Sequence, residues 1–153
     1  MKKTLLALAV VALSVQAQAG NQVQLLVKGL VPAVYDISIV TETAAANLDL
    51  LQQGNGIKVA TLTEYTNSSQ GYKVKAKSTN GGKLVNTSDQ NSIVNYTMTY
   101  QGSQIALNSS PTQIHTTNQK GTFTKELKIS YNQPSNLSAG SHEDTVQFTI
   151  EAN

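Results

Sequence analysis

The chain has 153 residues, with 11 lysines, no arginine, 9 acidic residues, no cysteine and no tryptophan. So even a charge balance excludes the strongly basic surface from which nucleic-acid binders draw most of their affinity, and no nucleic-acid partner is expected. The lack of cysteine excludes a disulfide framework of the kind that small exported domains often need, so stability must come from packing, hydrogen bonding or a neighbour.

The first segment reads as a secretory signal peptide over residues 1–19. Lys2 and Lys3 precede an apolar run from Leu5 to Val15, and Ala17-Gln18-Ala19 supplies a small-residue cleavage site before Gly20. The run is about half of the roughly 20 residues that span a bilayer, so cleavage and export are expected rather than anchoring. Removing 19 of the 153 residues leaves 134, one domain's worth. Both leader lysines go with the signal, which leaves nine lysines against nine acids, and such neutrality favours self-association.

Residues 20–32 follow as an alternating apolar segment, Val23, Leu25, Val27, Gly29 and Val31, cut off by Pro32. Proline withholds a ladder hydrogen bond and separates this arm from the next strand. From residue 33 onward the chain is rich in Thr, Ser, Asn, Gln and Val, with apolar residues two apart, the period of strands that bury one face. An acidic and apolar strand begins at Tyr35-Asp36-Ile37-Ser38-Ile39, and Thr43 to Gln53 is either a single short helix or a loop. Ile57, Val59, Thr61, Thr63 and Tyr65 are expected on one face of the next strand, and Tyr72, Val74 and Ala76 alternate with Lys73, Lys75 and Lys77 in another. Asn80-Gly81-Gly82 then predicts a tight hairpin turn with Leu84 and Val85 in the returning strand. Val94, Tyr96, Met98 and Tyr100 share a face, and Gln101-Gly102-Ser103 turns into a short segment from Ile105. Asn108 to Lys120, interrupted by Pro111, is a long connection or a pair of weak edge strands. Phe123, Leu127, Ile129 and Tyr131 resume the pattern, and Val146, Phe148, Ile150 and Ala152 form the last strand. The expectation is an all-β chain, seven to nine short strands in a β-sandwich rather than a closed barrel.

Catalytic and metal chemistry find little footing. His142, Glu143 and Asp144 are consecutive, and consecutive side chains of an extended strand point to opposite faces, so a solvated turn is expected there. No Gly-x-Ser-x-Gly elbow, phosphate-cradling glycine loop or EF-hand pattern occurs. The expectation is no enzyme, no cofactor and no metal. The lysine row reads as a solvent face that discourages edge pairing, and tyrosines 65, 72, 96, 100 and 131 read mostly as core.

Taken together, the arm ending at Pro32, the acidic and apolar strand after it, and the closing Ala139-Gly140-Ser141-His142-Glu143-Asp144-Thr145-Val146-Gln147-Phe148-Thr149-Ile150 resemble subunits of chaperone-usher pili, particularly the cysteine-free colonisation-fimbria type. The closing segment is similar to that family's Ala-Gly-x-Tyr-x-Asp-x-Val-x-Phe-x-Ile strand, with His142 where tyrosine is commoner. The resemblance implies an immunoglobulin-like β-sandwich that is incomplete and is completed by a donated strand. It divides the chain into a signal peptide (1–19), a donor-strand segment (20–32) and a pilin domain (33–153). Val23, Leu25, Val27, Gly29 and Val31 would be the donor residues, and Ile37, Ile39, Val146, Phe148 and Ile150 the acceptor groove. The implied route runs through the periplasm to the cell surface, and the implied partners are a periplasmic chaperone, an outer-membrane usher and other pilus subunits, identical or related. A host glycan or surface receptor, met in adhesion or biofilm attachment, would be a further partner.

Strand addition is physically plausible on its own terms, since backbone hydrogen bonds supply affinity and alternating pockets supply register. The arm has other fates open to it: folding back into its own groove, or pairing as an ordinary first strand. The alternative function is a secreted, monomeric carbohydrate-binding β-sandwich that uses its tyrosines or the polar loop near His115.

Overall fold

The structure, a computed structural model, describes residues 23–153. The signal peptide expected over residues 1–19 and the arm's first three residues, 20–22, lie outside the described residues. The chain divides into two units, with the break between Val31 and Pro32. In the first, the described residues 23–31 form no helix or strand.

The second unit is an all-β sandwich of ten antiparallel strands: β1 (Tyr35–Thr41), β2 (Gly54–Thr66), β3 (Tyr72–Ser78), β4 (Lys83–Asn86), β5 (Ile93–Tyr100), β6 (Ser103–Ile105), β7 (Thr112–Thr117), β8 (Gly121–Tyr131), β9 (His142–Glu143) and β10 (Val146–Ala152). One sheet has seven strands in the order β1-β2-β8-β5-β4-β9, with β6 paired to β5. The other has three, in the order β10-β3-β7. The Thr43 to Gln53 segment contains only a single 3-10 turn, Thr43–Ala46. The Asn108 to Lys120 connection contains one edge strand, β7.

Period-two burial is clearest in β3 and β5, where Tyr72, Val74 and Ala76 face Val94, Tyr96, Met98 and Tyr100 across an aliphatic and tyrosine core. Two expectations are corrected. In β2 the pairing with β8 slips between Lys58 and Ala60. This bulge puts Val59 and Ala60 both inside and then buries Leu62, Glu64 and Thr66 rather than Thr61, Thr63 and Tyr65. Tyr65 is accordingly 38% exposed. The Asn80-Gly81-Gly82 turn is not a hairpin: β3 belongs to the small sheet and β4 to the large one, so this turn carries the chain across the sandwich. Gly81 and Gly82 adopt φ of 64° and 76° there, a region that a side chain would disfavour.

Two carboxylates join the sheets. Glu64, fully buried on β2, accepts hydrogen bonds from Tyr72 (2.7 Å) and Tyr100 (2.5 Å). Asp144, just before β10, accepts from Ser78 (2.6 Å), Tyr96 (2.7 Å) and the Asn80 backbone N–H (2.9 Å). Tyr72 and Ser78 are the two ends of β3, while Tyr96 and Tyr100 both lie on β5, so one carboxylate clamps each end of β3 to β5. Burial, reinforced by the neighbouring carboxylates, holds the Tyr72, Tyr96 and Tyr100 hydroxyls far above the ordinary tyrosine range. They remain donors at any physiological pH.

His115 on β7 packs its ring 6.2 Å from Tyr72 and 5.4 Å from Tyr100, between centroids. Burial lowers its pKa below the usual 6.5, with Lys125 adding to that direction and Glu64 opposing it.

Replacing Glu64 by Ala strands two buried hydroxyls and should cost about 2–4 kcal/mol in urea unfolding, whereas Gln, which keeps one acceptor oxygen, should cost about 1–2 kcal/mol. His115 supplies a pH signature. The unfolded chain takes up this imidazole proton first, so the contribution is complete above pH 6.5, is lost as pH falls through that value, and levels off below the lower folded pKa. The melting temperature should therefore fall between about pH 7.5 and about pH 5.5, and His115→Asn should flatten that step. The carboxylates held low by their partners, Asp89, Glu126 and Glu151, act only in the more acid carboxylate range.

Candidate functional site: an apolar cleft between two free strand edges

Because three strands cannot cover seven, the sandwich stays open along one side. β1 pairs only with β2, and β10 pairs only with β3. Their other edges, which lie side by side, have no ladder partner among the described residues. Between them runs a cleft of about 220 Å³. Its walls are Ile39 and Thr41 of β1 and Val146 and Phe148 of β10, and its floor is made by core residues of the large sheet, including Ala60, Met98, Leu127 and Ile129. The cleft continues toward a second hollow that shares Ala45, Leu48, Leu84 and Asp144 with it and reaches Leu50 and His142.

Local sequence explains the walls. In β1 the inward positions are Ile37 and Ile39; Ile37 packs against the core, while Ile39 is 49% exposed. In β10, Val146, Phe148 and Ile150 alternate inward but remain half-buried, unlike their β3 neighbours Val74 and Ala76, which are buried. The difference comes from position: β3 has a strand on either side and β10 has only one. Of the five residues expected to form an acceptor groove, Ile39, Val146 and Phe148 line this cleft. Ile37 and Ile150 share their strands but not the lining.

The described part of the first unit is apolar and exposed. Val23, Leu25, Val27 and Val31, expected as donor residues, are between 81% and 93% exposed, and Gly29 has open space around its Cα. Leu26 and Leu30, on the other parity, are equally exposed, so the segment is apolar on both faces. The alternation of the odd positions concealed this. The second unit begins from a fixed point: the Asn67 side chain donates to the Pro32 carbonyl (3.0 Å) and accepts from the Val34 N–H (2.7 Å). Residues 23–34 belong to neither sheet, so an ordinary first strand is not what the structure contains.

Asp144 is the residue that sequence reasoning misplaced. It is half-buried, at the junction of the cleft and the hollow, and its three hydrogen bonds anchor the start of β10. The solvated turn expected for 142–144 is instead the short strand β9 followed by this anchor. The signal lay in the closing-strand pattern, which places an acid two residues before Val146. His142 does not join Asp144: its Nε2 lies 2.9 Å from the Ser92 hydroxyl. Among the described residues no cluster of His, Asp and Glu could hold a metal ion.

Asp144→Ala should leave the Tyr96 and Ser78 hydroxyls without their acceptor and destabilise the fold by about 2–4 kcal/mol, with Asn milder. Hydrogen exchange should show β10 amides losing protection before those of β8.

No family model matches the chain, and no curated protein does. Among solved structures, that of the CooA pilin subunit from enterotoxigenic Escherichia coli is similar, with 14% identity, 76% of this chain and 89% of that chain covered, and a TM-score of 0.46.

Proposed function

We propose that the protein is a non-enzymatic structural subunit of a surface pilus, polymerised when residues 23–31 of one copy enter the cleft between β1 and β10 of another. The observation that carries this reading is the presence in one chain of two features: an apolar cleft flanked by two strand edges, and an exposed segment outside both sheets whose odd positions Val23, Leu25, Val27 and Val31 are apolar. Once the two edges part to the roughly 10 Å that two strand spacings need, a strand laid between them would satisfy both rows of backbone groups and bury one apolar face, which is the physics of strand addition.

The energetics favour burial of the arm in such a cleft. Burying Val23, Leu25, Val27 and Val31 at about 1.5–3 kcal/mol each gives a gross gain on the order of 6–12 kcal/mol before ordering costs, comparable to the stability of a small domain. Gly29 would sit where the arm's backbone must pass close to the groove. The acceptor residues are Ile39, Val146 and Phe148, with Ile37 and Ile150 extending the same faces. Export by a signal peptide over residues 1–19, a chaperone that occupies the cleft in the periplasm, an usher at the outer membrane, and adhesion or biofilm attachment at the cell surface complete the proposal.

The mature chain should form concentration-dependent oligomers on size-exclusion chromatography, and excess peptide spanning residues 21–32 should shift them toward monomer. The Leu25→Ser, Val27→Ser double variant should stay monomeric yet still bind that peptide with a rise in melting temperature. Failure of the peptide to bind or stabilise either chain would refute the reading.

A further inference from the structure

A third concavity lies on the opposite, outward face of the large sheet, away from the cleft and the hollow beside it. Here the β2–β8 register slips again: Gly54 pairs with Tyr131 but Ile57 pairs with Ile129, which leaves one extra residue on β2. Two glycines hold this bulge. A Cβ on Gly54 would lie 2.4 Å from the Tyr131 ring, and Gly56 has a φ of 63°. The Gly56 N–H donates to the Ser130 hydroxyl of β8 at 2.9 Å instead of to a backbone carbonyl. The bulge brings Gln53 and Asn55 to the rim of a cleft of about 330 Å³ whose other wall is formed by Asn95, Thr97, Ser130 and Asn132.

The lining contains no charged residue and no aliphatic side chain; the buried Tyr96 and Tyr131 complete it. Its four amide side chains, on Gln53, Asn55, Asn95 and Asn132, make no hydrogen bond to any described residue. Some amides in the fold are committed: Asn67 brackets Pro32 and Val34, Asn86 caps the loop after β4 and ties down Ser138, and Asn153 bonds Gln70 and Thr117; other exposed amides, such as Gln104 and Gln147, stand as these four do but line no recess. Four exposed amides lining one recess provide both donors and acceptors. That suits vicinal hydroxyl groups, each of which also donates and accepts.

We infer that this cleft is a binding site for a neutral saccharide. An anionic ligand would find no cation in the lining. A peptide would find no apolar pocket for its side chains and no free strand edge, because β5 and β8 are paired to each other here. The inference deepens the adhesive part of the proposed function by giving it a location and a ligand class, but binding by a single copy does not depend on polymerisation. A weak site repeated along a filament would gain avidity from the repetition.

The test uses the mature chain at concentrations where it is monomeric, with amide and side-chain NMR shifts followed on titration with neutral gluco-, galacto- and manno-oligosaccharides. Shifts should be confined to Gln53, Asn55, Asn95, Thr97, Ser130 and Asn132. The exposed Asn95→Ala, Asn132→Ala pair should weaken binding by about tenfold or more, while the 21–32 peptide should still bind. Thr97→Val, a nearly isosteric change on the same face, gives a second measure and should weaken binding less. Absence of shifts with every neutral oligosaccharide, shifts produced only by acidic sugars or peptides, or binding unchanged in both variants would overturn the inference. None of these outcomes touches peptide capture by the other cleft.

Discussion

The structure depends on a mismatch in coverage: a seven-stranded sheet presents an apolar face to a sheet of only three strands. Apolar surface left uncovered, and strand edges left unpaired, are both unfavourable in water. Here the two coincide at one place, between β1 and β10, where the half-buried Val146 and Phe148 look across at Ile39. Both deficits have the same remedy, another extended segment of alternating side chains.

A sandwich that stays open on one side needs its two sheets fixed in some other way. The chain has neither cysteine nor tryptophan, and the posts that it uses are carboxylates. Glu64 holds the Tyr72 end of β3 and Asp144 the Ser78 end, and each also takes a tyrosine hydroxyl from β5. Hydrogen bonds to carboxylates are among the stronger ones available to a protein interior, and no buried side-chain polar atom among the described residues lacks a partner. The Asp144 post also sets the position of β10, so the wall of the open cleft is anchored by the device that holds the sheets together.

The two bulges of β2 illustrate how a single inserted residue redirects a surface. The one between Lys58 and Ala60 exchanges the strand's inner and outer faces, which brings Glu64 inside to meet its tyrosines and turns Tyr65 out. The one between Gly54 and Ile57 raises Asn55 beside an amide-lined recess on the outer face. Neither bulge alters the composition of the strand, yet each decides which side chains can meet.

What the sequence determined by itself is whatever depends on neighbours two to four residues apart. The period-two burial of β3, β5 and β10, the outward lysines of β3, the turn at Gln101-Gly102, the edge character of the segment after Pro111 and the break at Pro32 all follow from local rules about strands, glycine and proline. What only the tertiary structure decided is whatever depends on which strand lies beside which. Asn80-Gly81-Gly82 has the same local chemistry in a hairpin as in a crossing between sheets, so the residues of the turn carried no information about the choice. The partners of Asp144 are 48, 64 and 66 residues away from it, at Tyr96, Asn80 and Ser78, and apart from the closing-strand pattern nothing in its immediate surroundings marked it as other than solvated. By periodicity alone Ile39, Val146 and Phe148 are ordinary inward positions, and only the resemblance to pilus subunits set them apart, because an inward-facing side chain looks the same in sequence whether the opposite sheet covers it or stops one strand short.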